Sequence, residues 1–203
     1  MVFIVFEGGD GAGKSTQSAR LAAWLHDQGY PVRTTHQPGD TAVGLKLREI
    51  ILHSELPLGP RTEALLYAAD KAQHLAEVIK PALEAGIIVI CDRYVDSTLA
   101  YQGGGREISL DEITHLAWWS VDNLRPDLTV LMDVGVDAGL SRKESLDRIE
   151  SAGLEFHTRV RQRFLDLATA DPTRYLVVDG RGPKDEVTAL IRERVKPLLE
   201  VFS

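Results

Sequence analysis

The sequence of 203 residues contains a single cysteine, few aromatic residues and no long apolar run. The lone Cys91 excludes an internal disulfide framework and any zinc site with several cysteine ligands. No apolar stretch approaches the roughly 20 residues that a membrane-spanning helix needs. The six histidines show no H-E-x-x-H or similar spacing of metal ligands.

Basic residues are also fewer than acidic ones. The chain has 23 Lys and Arg against 30 Asp and Glu, a net charge of −7, which disfavours binding to a nucleic-acid backbone. The first residues lack the basic segment of a signal peptide and lead directly into glycines, so we expect a cytoplasmic location and no membrane partner. With 44% hydrophobic and 26% charged residues, we expect one globular domain over residues 1–203.

Short apolar runs alternate with longer helical patterns, which is typical of an α/β fold with a parallel sheet. Each run is apolar on both faces, as buried parallel strands are. The predicted strands are Val2–Phe6, Val32–His36, Ile87–Cys91, Leu128–Asp133 and Tyr175–Asp179. The predicted helices span residues 14–28, 42–53, 60–85, 109–122, 153–169 and 183–202. Pro81 is expected to kink or end the third helix, and Ser109 with Glu112 has the spacing of a capping box.

A glycine-rich segment between the first strand and the first helix predicts a phosphate-binding loop. Residues 8–15 read GGDGAGKS and match G-x-x-x-x-G-K-[ST] completely. Glycines allow backbone N–H groups to approach phosphate oxygens, and the helix dipole points at the same place. Lys14 is predicted to bridge the β- and γ-phosphates of a nucleotide, and Ser15 to help hold Mg²⁺. The predicted ATP-binding residues of this segment are Gly8, Gly9, Asp10, Gly11, Ala12, Gly13, Lys14, Ser15 and Thr16.

A phosphate loop alone leaves a GTPase switch, a mechanical ATPase and a small-molecule kinase open. Switch GTPases recognise guanine with an Asn-Lys-x-Asp sequence. The only asparagine in this sequence, Asn123, is followed by Leu124, which disfavours that class. Mechanical ATPases usually need more than 203 residues for the parts that couple ATP hydrolysis to movement, so this class is disfavoured too. A compact kinase is the favoured interpretation, and a catalytically silent nucleotide-binding regulator is the alternative from another class.

Asp92 and Arg93 follow the third predicted strand, where open α/β sheets form their ligand crevice. A carboxylate there suits a Mg²⁺ site shared with Ser15, and an arginine suits a phosphate. A surface Asp–Arg pair that caps a helix is the simpler alternative.

The segment from Asp92 to Gly103, DRYVDSTLAYQG, resembles the nucleotide-monophosphate motif of thymidylate kinases, which phosphorylate dTMP with ATP. QPG at 37–39, PDL at 126–128 and LDRIE at 146–150 resemble segments of the same family. The resemblance implies a phosphate-loop NTPase fold, in which helices flank a five-stranded parallel sheet and a helical lid spans about 139–152. It also implies MgATP as phosphoryl donor and a homodimer. A kinase for another nucleoside monophosphate is the nearest alternative.

The resemblance implies roles for individual residues around the acceptor. Asp10 would meet the sugar 3′-hydroxyl, Arg93 and Arg48 would hold the phosphate, and Thr98 and Gln102 would lie at the base. Tyr101 would crowd the sugar 2′ position, and Pro38 and Leu52 would wall the base pocket. The expected dTMP-binding residues are Asp10, Pro38, Arg48, Leu52, Tyr67, Lys71, Arg93, Ser97, Thr98, Tyr101 and Gln102.

Three positions depart from the family pattern. His36-Gln37 replaces the usual Arg-Glu, Tyr67 the usual Phe, and Lys71 the usual Arg. Tyr67 can still stack on a base. Lys71 keeps the charge but lacks the planar, two-pronged donor. A looser preference for thymine is therefore predicted, with dTMP still the best acceptor.

Arginines near the predicted lid complete the expected catalytic set. Residues 142–163 contain six basic and four acidic side chains, so this segment is positive within an acidic chain. A transferring phosphoryl group needs charge neutralisation and exclusion of water. Arg142 and Arg148 are predicted to close over ATP, and Gly11, where one branch of the family has an arginine, implies the bacterial branch. The predicted catalytic residues are Lys14, Arg93, Arg148 and Asp10. A solvated helix face is the alternative for Arg159, Arg161 and Arg163.

Two further features leave alternatives open. Trp118 and Trp119 point about 100° apart on a helix, so we expect one in the core, and the pair could mark a dimer face. His74 lies near the predicted acceptor pocket, where a structural role is at least as well supported as a direct one.

Overall fold

A computed structural model describes residues 1–55, 57–106, 108–136 and 148–200. Five strands form one parallel sheet in the order β2-β3-β1-β4-β5, which confirms the predicted α/β architecture. The strands are β1 (Phe3–Gly8), β2 (Val32–His36), β3 (Ile88–Asp92), β4 (Leu128–Asp133) and β5 (Tyr175–Asp179). Their bounds lie within two residues of the predicted ones.

Helices cover both faces of the sheet. They are α1 (Lys14–Asp27), α2 (Ala42–His53), α3 (Pro60–His74), α4 (Lys80–Glu84), α5 (Val95–Thr98), α6 (Leu110–Trp119), α7 (Leu154–Ala170) and α8 (Lys184–Glu200). Two π-helical segments, Leu75–Ile79 and Leu99–Gly105, and a 3₁₀ turn, Glu150–Ala152, complete the described helical structure. None of the helices in these ranges has both the length and the apolar character that crossing a bilayer requires.

The alternation of side chains along β1 divides the core between the two faces. Ile4 and Phe6 pack in the cluster formed with α1 and α8, whereas Phe3 and Val5 pack on the opposite face. All four side chains are at most 2% exposed, as expected for a central parallel strand. The carboxyl ends of β1 and β3 thus lie side by side in the middle of the sheet, where the candidate site is found.

The predicted helix 60–85 is present but is not α-helical throughout. Of the two predicted effects of Pro81, an end of the helix was wrong, because the helical path continues through Pro81 to Glu84, while a kink stays a prediction. The α-helix is interrupted just before the proline, by the π segment Leu75–Ile79. A proline ring obstructs the carbonyl of residue i−4, here Glu77, and the wider π turn contains that residue. Ser109 is the N-cap residue of α6, which confirms the predicted helix start, but its side chain makes no capping hydrogen bond.

The sequence analysis missed the helical path from Val95 to Gly105, because three consecutive glycines argue against a helix. Close packing accounts for the last of them. A Cβ atom on Gly105 would lie 2.3 Å from Cε2 of Phe156 in α7. Glycine therefore allows α7 to pack directly on this segment.

Candidate active site

The phosphate loop runs from the end of β1 to the start of α1. Gly8 has φ = 129°, and a Cβ atom there would lie 2.3 Å from the carbonyl oxygen of Met132, so only glycine fits. Lys14 Nζ donates hydrogen bonds to the carbonyl oxygens of Gly8 at 3.1 Å and Gly9 at 2.8 Å. The lysine side chain therefore folds back over the loop, and its ammonium group contacts the first two glycines of the loop.

The electrostatic surroundings of Lys14 favour an anionic ligand. Burial, with the nearby Arg93 cation, lowers the pKa of Lys14 to about 8, although Asp92 and Asp10 act in the opposite direction. The backbone N–H groups at the N-terminus of α1 add partial positive charge at the same place. A bound phosphate would favour the charged ammonium form and satisfy these donors.

Ser15 and Asp92 come together at the carboxyl ends of the two central strands. The Ser15 hydroxyl donates to Asp92 Oδ2 at 2.9 Å. Both residues line an open cleft of about 760 Å³ that follows the phosphate loop. Over the described ranges, no group of three or more His, Cys, Asp or Glu side chains could hold a metal ion. A hydroxyl beside a carboxylate nevertheless fits Mg²⁺, which takes most of its ligands from phosphates and water.

Arg93 lies between the phosphate loop and the segment that follows β3. Its Nη2 donates to Asp10 Oδ1 at 2.8 Å and its Nη1 to Ser97 Oγ at 3.1 Å, while its guanidinium carbon lies 5.2 Å from the centre of the Tyr101 ring. Burial opposes the charge, but Tyr101, Asp10 and Asp92 raise the pKa of Arg93 well above its usual range. The guanidinium therefore stays charged, and Asp10, Ser97 and Tyr101 hold it in position.

Glu7 supports this segment from beneath, and the sequence analysis missed it. The fully buried carboxylate accepts hydrogen bonds from the backbone N–H groups of Tyr94 at 2.8 Å and Ser97 at 3.1 Å, and from Ser97 Oγ at 2.7 Å. Burial and the neighbouring Asp96 raise the pKa of Glu7. A lone acidic residue inside an apolar strand run was the available signal, since such a group must find partners when buried.

A second, partly enclosed cavity of about 130 Å³ is lined by Arg93. All eleven predicted dTMP-binding residues line it, so the structure brings that set together. Gln37 and Ile149 line it as well, and neither was predicted as a site residue. Four residues border both this cavity and the phosphate-loop cleft, so the two spaces meet at Asp10, Gln37, Arg48 and Arg93.

The lining of this cavity also combines an aromatic ring, a buried cation and two buried polar atoms that lack a hydrogen-bond partner. Lys71 is 2% exposed, and its Nζ lies 5.5 Å from the centre of the Tyr67 ring. Burial lowers the pKa of Lys71, and the adjacent Asp70 opposes this. Among the described residues, Thr98 Oγ1 and Gln37 Oε1 are buried without a hydrogen-bond partner. A polar ligand in the cavity can supply those partners.

Gln37 belongs to a buried chain of hydrogen bonds. Its Nε2 lies 2.7 Å from His74 Nδ1, and His74 Nε2 lies 2.5 Å from the hydroxyl of Thr35, which donates to Asp40. Because Gln37 Nε2 can only donate, His74 Nδ1 accepts, and His74 Nε2 carries the proton that is donated to Thr35, so the ring is neutral. Burial lowers the pKa of His74 to about 4, which agrees with that assignment. His74 therefore has a structural role: it does not line the cavity itself but binds Gln37, which does.

Arg148 begins the described part of the predicted lid. Its Nη2 lies 2.6 Å from Glu63 Oε2, and its Nε donates to the carbonyl oxygen of Ile51 at 2.9 Å. The guanidinium therefore lies against α2 and α3, and its predicted role over ATP stays a prediction. Arg142 and residues 139–147 of the predicted lid lie outside the described residues.

Two arginines of α7, Arg159 and Arg161, contact other elements of the fold. Arg161 forms two hydrogen bonds of 2.7 Å with the carboxylate of Asp133, at the end of β4. Arg159 Nη2 donates to the carbonyl oxygen of Gly105 at 3.1 Å. In this structure both side chains bind protein groups.

The comparisons with known proteins agree on one family. A family model described as thymidylate kinase matches residues 6–191. Thymidylate kinases of Cutibacterium acnes and Clavibacter michiganensis are 53% and 50% identical to this chain, each over 98% of it, and over 98% and 96% of their own lengths. The crystal structure of thymidylate kinase from Ehrlichia chaffeensis superimposes with a TM-score of 0.79 at 32% identity, over 96% of this chain and 98% of that one.

Proposed function

The chain belongs to the thymidylate kinase family and phosphorylates dTMP to dTDP with ATP, and we propose that its two adjoining cavities hold these two substrates. The observation that carries the proposal is that four residues, Asp10, Gln37, Arg48 and Arg93, border both cavities. A phosphoryl donor on the phosphate loop and an acceptor phosphate in the second cavity would meet at these side chains. Holding two reactants in this way lowers the barrier by proximity and alignment.

The donor phosphates are proposed to bind the loop from Gly8 to Ser15, with Thr16 in the first turn of α1. The N-terminal amides of α1 and the left-handed glycines of the loop support this, because they direct N–H groups at one anion-sized space. Lys14 would exchange its carbonyl partners Gly8 and Gly9 for β- and γ-phosphate oxygens. Arg142 is proposed to cover ATP from the lid.

The acceptor dTMP is proposed to enter the second cavity with its phosphate at Arg93 and Arg48. These two cations also border the phosphate-loop cleft, whereas Tyr67 lines only the second cavity, and this arrangement fits an anionic phosphate near the donor and a planar base away from it. Asp10 would accept a hydrogen bond from the sugar 3′-hydroxyl. Thymine would pack on Tyr67, near Lys71, Thr98 and Gln102, between the walls formed by Pro38 and Leu52.

We propose that Mg²⁺ accompanies ATP and lies at Ser15 and Asp92. The 2.9 Å hydrogen bond between their side-chain oxygens supports this, because both can face one cation without rearrangement of the backbone. When bound, the ion supplies charge neutralisation at the β- and γ-phosphate oxygens.

No general base is required for this reaction. The phosphate of dTMP has a second pKa near ~6, so it is mostly dianionic and nucleophilic at neutral pH. The chain's own residues therefore orient and neutralise: Lys14 at the donor, and Arg93 at the acceptor and the transferring group. Because Asp10 and Ser97 fix two edges of the Arg93 guanidinium, this charge needs little reorganisation during transfer.

Arg148 is proposed to add positive charge to the transferring group when the lid, about 139–152, covers the site. It would first have to leave Glu63, whose carboxylate it contacts at 2.6 Å. An arginine delivered to a transferring phosphoryl group accelerates transfer by about 10³–10⁵. We propose that this lid is a segment of one domain over residues 1–203, and that the enzyme acts in the cytoplasm, where nucleotides and MgATP are abundant.

We also propose a homodimer that uses the face formed by α3 and α6. Trp118 is 7% exposed but Trp119 is 67% exposed, and Leu65 on α3 is 58% exposed. An apolar groove of about 150 Å³ lies between these two helices. Trp119→Glu is expected to shift the sedimentation coefficient from dimer to monomer. Leu190→Glu on α8, at a side chain that is 55% exposed on the other side of the sheet, serves as the control.

The proposed acceptor site is tested by ADP release with MgATP and a panel of dTMP, dUMP, dCMP, AMP and GMP. We expect turnover led by dTMP in the wild type and lost in Arg93→Ala. Arg161→Ala, which removes a surface arginine paired with Asp133, is the matched control and should retain the dTMP preference. Turnover led by another monophosphate would reject the proposed base pocket. Turnover retained in Arg93→Ala would reject the proposed phosphate site.

A further inference from the structure

Glu63 on α3 is a buried carboxylate that contacts the acceptor cavity only through other side chains. It is 1% exposed and accepts a hydrogen bond from Gln102 Nε2 at 2.9 Å. Arg106 donates to both of its oxygens at 3.2 Å, and Arg148 Nη2 lies 2.6 Å from Oε2. Three donor groups therefore meet one carboxylate behind the cavity wall.

These contacts keep Glu63 ionised. Burial alone would raise the pKa of Glu63, but the hydrogen bonds from Gln102 and Arg106, together with the ion pair with Arg148, lower it overall. An ionised carboxylate accepts hydrogen bonds and donates none, and a guanidinium donates and accepts none.

The charge on Glu63 determines which way the Gln102 amide points. Only the NH₂ end of an amide can bind a carboxylate, so the orientation with Nε2 toward Glu63 follows from the partner's chemistry. The Oε1 atom is then the end of the amide that is left for a ligand. Gln102 lines the acceptor cavity, so an occupant of that cavity meets a hydrogen-bond acceptor there.

We infer that Glu63 is a positioning residue which fixes Gln102 Oε1 as an acceptor and so makes the site select a base with an N3–H donor. The inference rests on the proposed placement of dTMP in this cavity. Thymine and uracil carry a hydrogen on N3, whereas N3 of cytosine is an acceptor. A cytosine would therefore place two acceptors face to face, which leaves both without a partner in a buried site.

The test must separate this role from the contact that Glu63 makes with Arg148. Loss of that contact changes the charge available for phosphoryl transfer, and it affects every acceptor nucleotide equally. A change in the ratio of kcat/KM for dTMP to kcat/KM for dCMP reports only on the base. The ratio is thus the readout that a merely structural role of Glu63 would not move.

The experiment compares this ratio in the wild type, Glu63→Gln and Arg106→Gln. A glutamine at 63 can donate or accept, so Gln102 can present either end to the base, and the ratio is expected to fall about tenfold or more. Arg106→Gln removes one cation but keeps the Glu63 carboxylate, so its ratio should stay within about twofold of the wild type. Circular dichroism checks that each variant is folded.

A second measurement uses only the wild-type protein. With ¹⁵N-labelled dTMP bound, the N3 imino proton should be protected from exchange with water, and so should the Gln102 side-chain NH₂ protons. An imino proton that exchanges as fast as in free dTMP would overturn the inference, as would a Glu63→Gln variant that slows both acceptors in equal proportion. A wild type that fails to phosphorylate dTMP would instead overturn the proposed function.

Discussion

The buried His74 ring should give the protein a specific dependence of stability on pH. Its imidazole is neutral at pH 7 and hydrogen-bonded on both nitrogens, to Gln37 and Thr35. Burial, with a contribution from Lys71, lowers its pKa from 6.5 to about 4, although Asp40 acts in the opposite direction. Between these two values the unfolded chain binds a proton that the folded chain does not.

The sign and size of the effect follow from this difference in proton binding. Stability is fully present above about pH 6.5 and is lost as the pH falls toward 4, where the folded state must also take up the proton. At 1.36 kcal/mol per pKa unit, the contribution of this one ring is about 3 kcal/mol.

Urea denaturation followed by circular dichroism, at pH values from 7.5 to 4, measures this contribution. His74→Gln is the matched variant, because glutamine can still donate to Thr35 and accept from Gln37 without titrating. We expect the wild type to lose about 3 kcal/mol more than the variant over this range. Equal losses in both proteins, or an imidazole that titrates near 6.5 by NMR, would refute the reasoning.

Three further predictions concern the phosphate loop. Since burial lowers the Lys14 pKa to about 8, kcat/KM for ATP should fall about tenfold per pH unit above that value, and a flat profile to pH 10 would contradict this. Gly8→Ala should lower the free energy of unfolding by more than about 2 kcal/mol in chemical denaturation, because its Cβ meets the Met132 carbonyl; Gly9→Ala, whose Cβ meets nothing within 4 Å, is the control. Ser15→Ala should raise the Mg²⁺ concentration for half-maximal rate at least about tenfold, and an unchanged Mg²⁺ titration would exclude Ser15 as a ligand.

Features that depend on local pattern could be predicted from the sequence. The five strands and the phosphate loop were predicted from runs of neighbouring residues, since strand burial and loop geometry depend on those residues. The acceptor set from Asp10 to Gln102 could be assembled only through the family resemblance, because its members lie on different elements. The structure brings that set around one cavity, and its role in binding stays a prediction.

The buried polar networks could not be predicted from the sequence, because the residues that form their hydrogen bonds are far apart in the chain. Glu7 binds Ser97, 90 residues away, and Glu63 binds Gln102, 39 residues away. Nothing in the spacing of these residues indicates that one carboxylate supports Arg93 and the other orients an amide. The π segment Leu99–Gly105 was missed for a related reason, since the need for glycine at 105 comes from Phe156, which is distant in the chain.

The central claim is that dTMP occupies the second cavity with its phosphate toward Arg93, while the ATP phosphates bind the phosphate loop. A crystal structure with Mg²⁺ and a bisubstrate analogue, in which adenosine and thymidine are joined by a polyphosphate chain, tests it directly. The account predicts thymine against Tyr67 and beside Gln102, with the polyphosphate passing Arg93 to reach Lys14. Thymine in the open cleft, or a polyphosphate that does not contact Arg93, would contradict it.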